Sequence, residues 1–310
     1  MLGEPLRLGL VGAGRWGRNY IKTIGALDGV RLAELSSTNP QSVHLVPEGC
    51  QVSLDWRSIL DNRRIDGLIV ATPPDSHVEM VRAAVQTGIP VLVEKPLSLD
   101  VIETASLRDF VLQRNGYVMV GHTHLFHPAF RKLKAIAPKY GKIRSISSEA
   151  GNYGPFRPDT PVLWDWGAHD VAMCLELLGA VPEEADGCLV DRRMVPEGLG
   201  EVVELDLKFS DDVIAHIRVG NMLPKRRHFR VNMESAALVY DDLSPDALTV
   251  MSSAGFDAAT PIEVGREKPL AELVKEFAAA IREGRHDTSS LDLGIGVVNV
   301  LHRCATNLRS

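Results

Sequence analysis

The 310-residue sequence is short of several things, and each shortage removes a class of protein. Its four cysteines, Cys50, Cys174, Cys188 and Cys304, form no C-x-x-C pair, which argues against a zinc ribbon and against a disulfide framework. No apolar run approaches the ~20 residues that a membrane-spanning helix needs. The opening Met1-Leu2-Gly3-Glu4-Pro5 lacks the basic and then apolar blocks of a secretory leader. There is no long basic block and the net charge is −6, so neither nucleic acid nor an anionic membrane is an expected partner. Repeats and low-complexity tracts are missing too. What remains, at 45% hydrophobic and 24% charged residues, is an average globular composition on a chain long enough for two domains. The expectation is a cytoplasmic protein acting on a small molecule.

The first third alternates short apolar runs with amphipathic stretches. Strands are expected at Leu6–Val11, Val30–Ser36, Asp66–Ala71, Val91–Glu94 and Tyr117–Gly121, with helices at 15–27, 54–60, 78–87 and 100–114. Strands separated by helices imply right-handed crossovers and a parallel sheet. Pro40 and Pro47 make the stretch 39–50 short or irregular. The pattern changes near residue 122. A helix at 129–137, a strand at 143–149, a Gly/Pro-rich loop at 151–161 and a helix from Gly167 precede β-type runs between 187 and 250, and two helices close the chain. Ser210-Asp211-Asp212 is a hairpin turn by its composition. The fold expected is α/β: a doubly wound parallel Rossmann sheet over 1–121, then an α+β domain over 122–310 with a large, open, mostly antiparallel sheet.

Gly12-Ala13-Gly14-Arg15-Trp16-Gly17 follows the first strand and opens the first helix. The first glycine allows a tight turn, the second lets a pyrophosphate approach the backbone, and the third lets helix and strand pack closely. In this strand–loop–helix context the hexapeptide predicts dinucleotide binding. Where an acid would bind the ribose hydroxyls, the chain has Leu35-Ser36-Ser37-Thr38-Asn39, and Glu34 lies within the strand. Without a carboxylate there, a 2′-phosphate meets no repulsion, and Ser37 and Thr38 are donors for it. Arg15 is either a phosphate contact or a solvated residue at the helix start. The cofactor expected is NAD(P)(H), with NADP(H) slightly favoured.

Three further motifs follow in order: Ala71-Thr72-Pro73-Pro74-Asp75-Ser76-His77, Glu94-Lys95-Pro96 and Asp165-Trp166-Gly167-Ala168-His169. With the glycine loop, they make the sequence resemble the glucose–fructose oxidoreductase/inositol dehydrogenase/rhizopine catabolism (Gfo/Idh/MocA) family over nearly its whole length. The resemblance implies a Rossmann domain for NAD(P) and an open-faced domain that supplies the substrate wall and a homodimer or homotetramer interface. It implies that Ala71, Thr72, Pro73, His77 and Glu94 border the cofactor with Gly12, Gly14, Trp16 and Gly17. It also implies that Lys95 reaches the reacting oxygen, in accord with a lysine at the carboxyl end of a parallel strand.

Asp165 and His169 are four apart and on one helix would share a face, where a carboxylate can orient an imidazole for proton transfer. An N-cap aspartate beside an unrelated histidine is the plainer reading, and the resemblance favours the catalytic one. Lys95, Asp165 and His169 are therefore the expected catalytic set, with no metal. His122 and His124 would point the same way on a strand, as in metal-dependent hydrolases. Those sites need further carboxylates on later strands of a barrel, and no eight-fold βα series exists here. The two histidines either line a substrate pocket or serve the core or the entry to a helix. Arg157 is a candidate for a phosphate or carboxylate, or a solvated loop residue. With Trp164 these residues complete the expected substrate side, and the stretch 151–165 looks like the branch acting on nucleotide-linked sugars. The activity implied is hydride transfer between nicotinamide and a secondary alcohol or ketone of a sugar or nucleotide-linked sugar. The alternative is a non-catalytic dinucleotide sensor on the same scaffold.

Overall fold

The computed structural model describes residues 4–61, 64–158, 160–252 and 259–309; the opening Met1-Leu2-Gly3, part of the stretch read for a leader, lies outside them. Contacts between Cα atoms divide the chain into two units, Met1–Gly121 with Lys268–Ile295, and His122–Glu267 with Gly296–Ser310. The expected division at 121/122 therefore needs an amendment, because residues 268–295 pack with the first unit.

The first unit holds six strands, β1 (Leu6–Val11), β2 (Val30–Ser36), β3 (Gln51–Ser53), β4 (Gly67–Val70), β5 (Val91–Val93) and β6 (Val118–Val120), in the order β3-β2-β1-β4-β5-β6. All its pairings are parallel. Leu8, Leu10, Leu68, Ile69, Leu92 and Val93 are buried, as central strands covered on both faces must be. The helices between them are α1 (Arg15–Gly25), α2 (Arg57–Asp61), α3 (His77–Gln86), α4 (Val101–Ala105) and α5 (Leu107–Leu112). The stretch from Pro40 is a 3₁₀ turn, as its prolines foretold. The single helix expected over 100–114 is instead two, because Ser106 leaves helical geometry (φ −101°, ψ 4°).

The second unit begins with a 3₁₀ turn at Thr123–Phe126 and α6 (Pro128–Ile136), then β7 (Ile143–Tyr153), α7 (Val162–Asp165) and α8 (Gly167–Leu178). Strands β8 (Glu184–Val195), β9 (Gly198–Lys208), β10 (Ile214–Gly220), β11 (Met222–Met233), β12 (Ala236–Asp241), β13 (Leu248–Ser252) and β14 (Thr260–Pro261) follow. Helices α9 (Pro269–Glu283) and α10 (Ser289–Thr306) precede a last short strand, β15 (Leu308–Arg309). The sheet runs β14-β13-β12-β11-β7-β10-β9-β8-β15 and is antiparallel except where β10 meets β7 and β15 meets β8. The turn at 210–212 does join antiparallel β9 and β10, with Asp211 and Asp212 both at φ 57°. Strand β11 starts earlier than its β-branched residues indicate. It runs through Pro224, which is tolerated at a break in register between Met222 and Arg226.

The second segment of the first unit covers the sheet. A side chain at Gly67 on β4 would lie 2.5 Å from Ile281 and 3.1 Å from the Phe277 ring, so α9 presses directly on the strand. Ser290 of α10 accepts the Val120 N–H of β6 at 2.9 Å, and Asp292 pairs with Arg108 at 2.7 Å.

Candidate active site

In the first unit, strand order reverses between β1 and β4, and ligands of open parallel sheets bind at the carboxyl ends flanking that reversal. The glycine loop follows β1 and Ala71-Thr72-Pro73 follows β4. Gly12 sits at φ +96°, and a Cβ there would lie 2.6 Å from the Ala71 carbonyl. A Cβ on Gly17 would lie 2.0 Å from the Gly12 carbonyl, so α1 can meet β1 only through glycine. Gly14, the N-cap of α1, faces open space and has no side-chain cap. No described protein atom demands glycine there, whereas a pyrophosphate lying against the backbone would. The residues thus fit a dinucleotide phosphate at the start of α1.

Lys95 follows β5 and is only 7% exposed, held in the turn that contains a cis Lys95–Pro96 peptide. Glu94 is turned inward: its Oε1 accepts the hydroxyl of fully buried Tyr20 at 2.7 Å, and its Oε2 accepts the Lys95 N–H at 3.3 Å. Its carboxylate thereby ties α1 to the lysine turn. Burial and the adjacent carboxylate hold the Tyr20 phenol well above its ordinary pKa, so it stays a donor. His77 is likewise built into the fold. Its ring is buried, with Nδ1 2.9 Å from the Pro96 carbonyl and Nε2 2.9 Å from the Thr72 carbonyl, and so it fastens the two loops together.

Ser37 is buried, and its hydroxyl is engaged within its own turn, 2.8 Å from Ser42 Oγ and accepting the Asn39 N–H at 3.2 Å. Arg15 and Thr38 are exposed.

In the second unit, Asp165 and His169 do not share one continuous helix. Helix α7 ends at Asp165, Trp166 forms the junction, and α8 starts at Gly167, with the His169 N–H donating to the Trp166 carbonyl at 3.2 Å. Asp165 accepts from Arg157 Nη1 at 3.3 Å, so the loop arginine is already paired. His169 stands edge-on to His124, with ring centroids 4.7 Å apart. His124 is not on a strand but in the 3₁₀ turn that His122 caps, which removes the reading that both point the same way. His122 is buried, and Trp164 is buried on α7; neither is among the residues lining the two cavities described next.

Residues that the sequence did not single out complete this region. Arg227 on β11 donates to His124 Nε2 at 3.1 Å and lies over the Trp166 ring at 4.7 Å. A guanidinium can only donate, so His124 carries its proton on Nδ1, which is 3.1 Å from the Tyr240 hydroxyl and 4.0 Å from Asp242. Burial holds the Asp242 carboxyl above its usual range. Asp170 is fully buried, and burial pushes its pKa up to about 6 against the opposing Ser148 hydrogen bond and Arg227 charge. His124, His169, Asp170, Arg227, His228 and Tyr240 border a void of about 10 Å³, room for one water at most. Asp165, Trp166 and Arg157 border a second, larger cavity of about 500 Å³.

The family model describing an oxidoreductase family with an NAD-binding Rossmann fold matches residues 6–122, the stretch that carries the glycine loop, the Ala71–His77 strand end and the Lys95 turn. The chain belongs to the Gfo/Idh/MocA oxidoreductase family. A family relative, inositol 2-dehydrogenase 2 of Saccharopolyspora erythraea, is 29% identical over 186 residues, which are 56% of this chain and 54% of that protein. UDP-N-acetylglucosamine 3-dehydrogenase of Acidithiobacillus ferrooxidans is 29% identical over 185 residues, 57% of this chain and 56% of that protein. These alignments thus span about half of each curated relative. A solved structure of a presumptive oxidoreductase from Magnetospirillum magnetotacticum MS-1 is 42% identical, with a TM-score of 0.91 over 97% of this chain and 100% of its own. Among the described residues of this family member, no helix is long and apolar enough to cross a membrane.

Proposed function

We propose that this chain transfers a hydride between the nicotinamide of NAD(P) and a secondary alcohol or ketone of a sugar or nucleotide-linked sugar. The observation that carries the reading is Lys95, buried at the carboxyl end of β5, two strands from the glycine loop that fits a dinucleotide phosphate. Bound NAD(P) supplies the hydride acceptor or donor. Lys95 donates a hydrogen bond to the reacting oxygen and stabilises negative charge developing on it. His169 is the general acid/base for the hydroxyl proton, and Asp165, with Arg157 on its carboxylate, is assigned as its orienting partner. Names of relatives support the substrate class, since one acts on inositol and another on UDP-N-acetylglucosamine.

The same reading takes NADP(H) at least as well as NAD(H), because no carboxylate stands at the tip of β2 and Arg15 and Thr38 are exposed. Four free cysteines support a reducing, cytoplasmic setting. The nine-stranded sheet supports self-association as a homodimer or homotetramer, which light scattering on purified protein tests.

Single-turnover reduction of bound nicotinamide by a panel of sugars is the deciding experiment. His169→Asn and Lys95→Ala should each lower the rate by roughly 10²–10⁴ while retaining dinucleotide affinity. Near wild-type rates in both variants would refute the assignment. Ligand binding without any change in the nicotinamide spectrum would favour a sensor.

A further inference from the structure

The junction between α7 and α8 carries Asp165 on one side and His169 on the other, and its own sequence does little to fix it. Trp166, the N-cap of α8, supplies no side-chain hydrogen bond to the first turn. Its indole N–H is buried and finds no acceptor among the described residues. Support comes from a distant strand. The register of β11 on β7 pairs Arg227 with Ala150, and from there the guanidinium reaches in two directions. It lies 4.7 Å from the centre of the Trp166 ring, and its Nη1 donates to His124 Nε2 at 3.1 Å. His124 in turn meets His169 edge-on, with 76° between the ring planes. One side chain thus bears both on the residue next to Asp165 and on the imidazole packed against His169.

Arg227 also brings charge. It is the one permanent cation among the described residues that border the void of about 10 Å³, and His169 borders the same void. With room for one water at most, bulk solvent does not screen these groups from each other. Two carboxyls stand close by. Asp170 is the next residue of α8 and is buried, and Asp242, beyond β12, lies 4.0 Å from His124 Nδ1. Ionised and unopposed, they would hold His169 as an imidazolium, which cannot accept a proton. The remaining titratable neighbours add no charge near neutral pH. Burial and the Arg226 charge keep His228 neutral, and burial keeps the Tyr240 phenol and the Cys174 thiol protonated. Asp165, at the end of α7, is paired with Arg157.

Resting on the assignment of His169 as general acid/base, we propose that Arg227 is a positioning residue for the reaction. Through His124 and Trp166 it sets the His169 ring, and its charge offsets Asp170 and Asp242 so that the imidazole is free to take a proton. In the oxidative direction the substrate's C–H hydrogen leaves as hydride to the nicotinamide, and its O–H proton passes to neutral His169. Arg227 itself gains and loses nothing.

The test uses the full chain with ¹³Cε1-labelled histidine, saturated with NADP⁺, or with NAD⁺ if that binds more tightly. The His169 signal among the ten histidines is assigned with His169→Asn. Arg227→Gln keeps an amide donor for His124 without the charge, Arg227→Lys keeps the charge without the flat face, and Arg227→Met keeps neither. The His169 titration midpoint should rise by at least about half a pH unit in the Gln and Met variants and stay near wild type in the Lys variant. Asp170→Asn should move it the opposite way. With whichever of myo-inositol and UDP-N-acetylglucosamine reduces the bound nicotinamide, the acid limb of kcat/KM should rise in step with the midpoint. If the Met variant does not fold, the Gln and Lys pair decides. A midpoint unmoved in Arg227→Gln, or raised equally in Arg227→Lys, would overturn the proposal and leave hydride transfer standing. The expected midpoints together with an acid limb that does not follow them would support the charge coupling and refute His169 as the acid/base.

Discussion

At the scale of single residues, the second unit concentrates buried ionisable groups that alter each other's behaviour. Asp170 is the sharpest case. Its folded pKa of about 6 lies above its ordinary 3.8, so the native state holds this proton more tightly than the unfolded chain does. The stabilising contribution is complete below about pH 4 and is lost as pH rises to about 6. A shift of roughly two units corresponds to about 3 kcal/mol. Asp170→Asn mimics the protonated form and should flatten this part of the stability curve, raising Tm relative to wild type near neutral pH. Parallel melting profiles for the two proteins across pH 4–7 would contradict the assignment. Arg227 gives a second expectation. Replacing it with Met removes the donor to His124 Nε2, and imidazole ¹⁵N shifts should then report a mixture of His124 tautomers instead of the Nδ1–H form alone. At Ser37, Asp replacement should shift preference toward NAD(H) by charge repulsion, although the wild-type hydroxyl is occupied by Ser42 and Asn39. A wild-type preference for NAD(H) of tenfold, about 1.4 kcal/mol, would exclude the NADP(H) reading.

At the scale of elements, α1 is clamped at two points. Its start needs Gly17, where any side chain collides with the Gly12 carbonyl, and its buried face carries the Tyr20–Glu94 hydrogen bond. Tyr20→Phe leaves a buried carboxylate oxygen without that donor and should cost roughly 1–3 kcal/mol by denaturant unfolding. Because Glu94 also anchors the Lys95 backbone, turnover should fall more than dinucleotide affinity does. An unchanged ratio of the two would make Tyr20 a packing residue only. The contrast between these clamps shows what a sequence can disclose. Gly12, Gly17 and Lys95 are legible because each answers a local requirement, a tight turn, a close approach or a strand end, that leaves its mark within a few residues. Tyr20 and Glu94 are 74 positions apart, and nothing local announces their bond. Arg227 is similarly hidden. It sits in the run Lys225-Arg226-Arg227, which reads as solvated charge until the register of β11 on β7 sets it over Trp166. The spacing of Asp165 and His169 does not disclose the junction at Trp166, which divides α7 from α8 between them.

At the scale of the whole molecule, the first unit is discontinuous. Residues 4–121 supply all six strands, but Phe277 and Ile281 of α9 press on Gly67, and Ser290 holds the end of β6. A fragment of residues 4–121 should expose that face, bind a hydrophobic dye and unfold without a cooperative transition. The same fragment joined by a flexible linker to 268–295 should melt cooperatively and bind dinucleotide. Equal cooperativity in the two fragments would show that α9 is dispensable. The discontinuity also has a consequence for synthesis. The ribosome delivers the glycine loop first and its supporting helix only after the entire nine-stranded sheet has been translated, apart from its last short strand. Nascent chains therefore spend most of their elongation without the helix that covers Gly67 and completes the first unit.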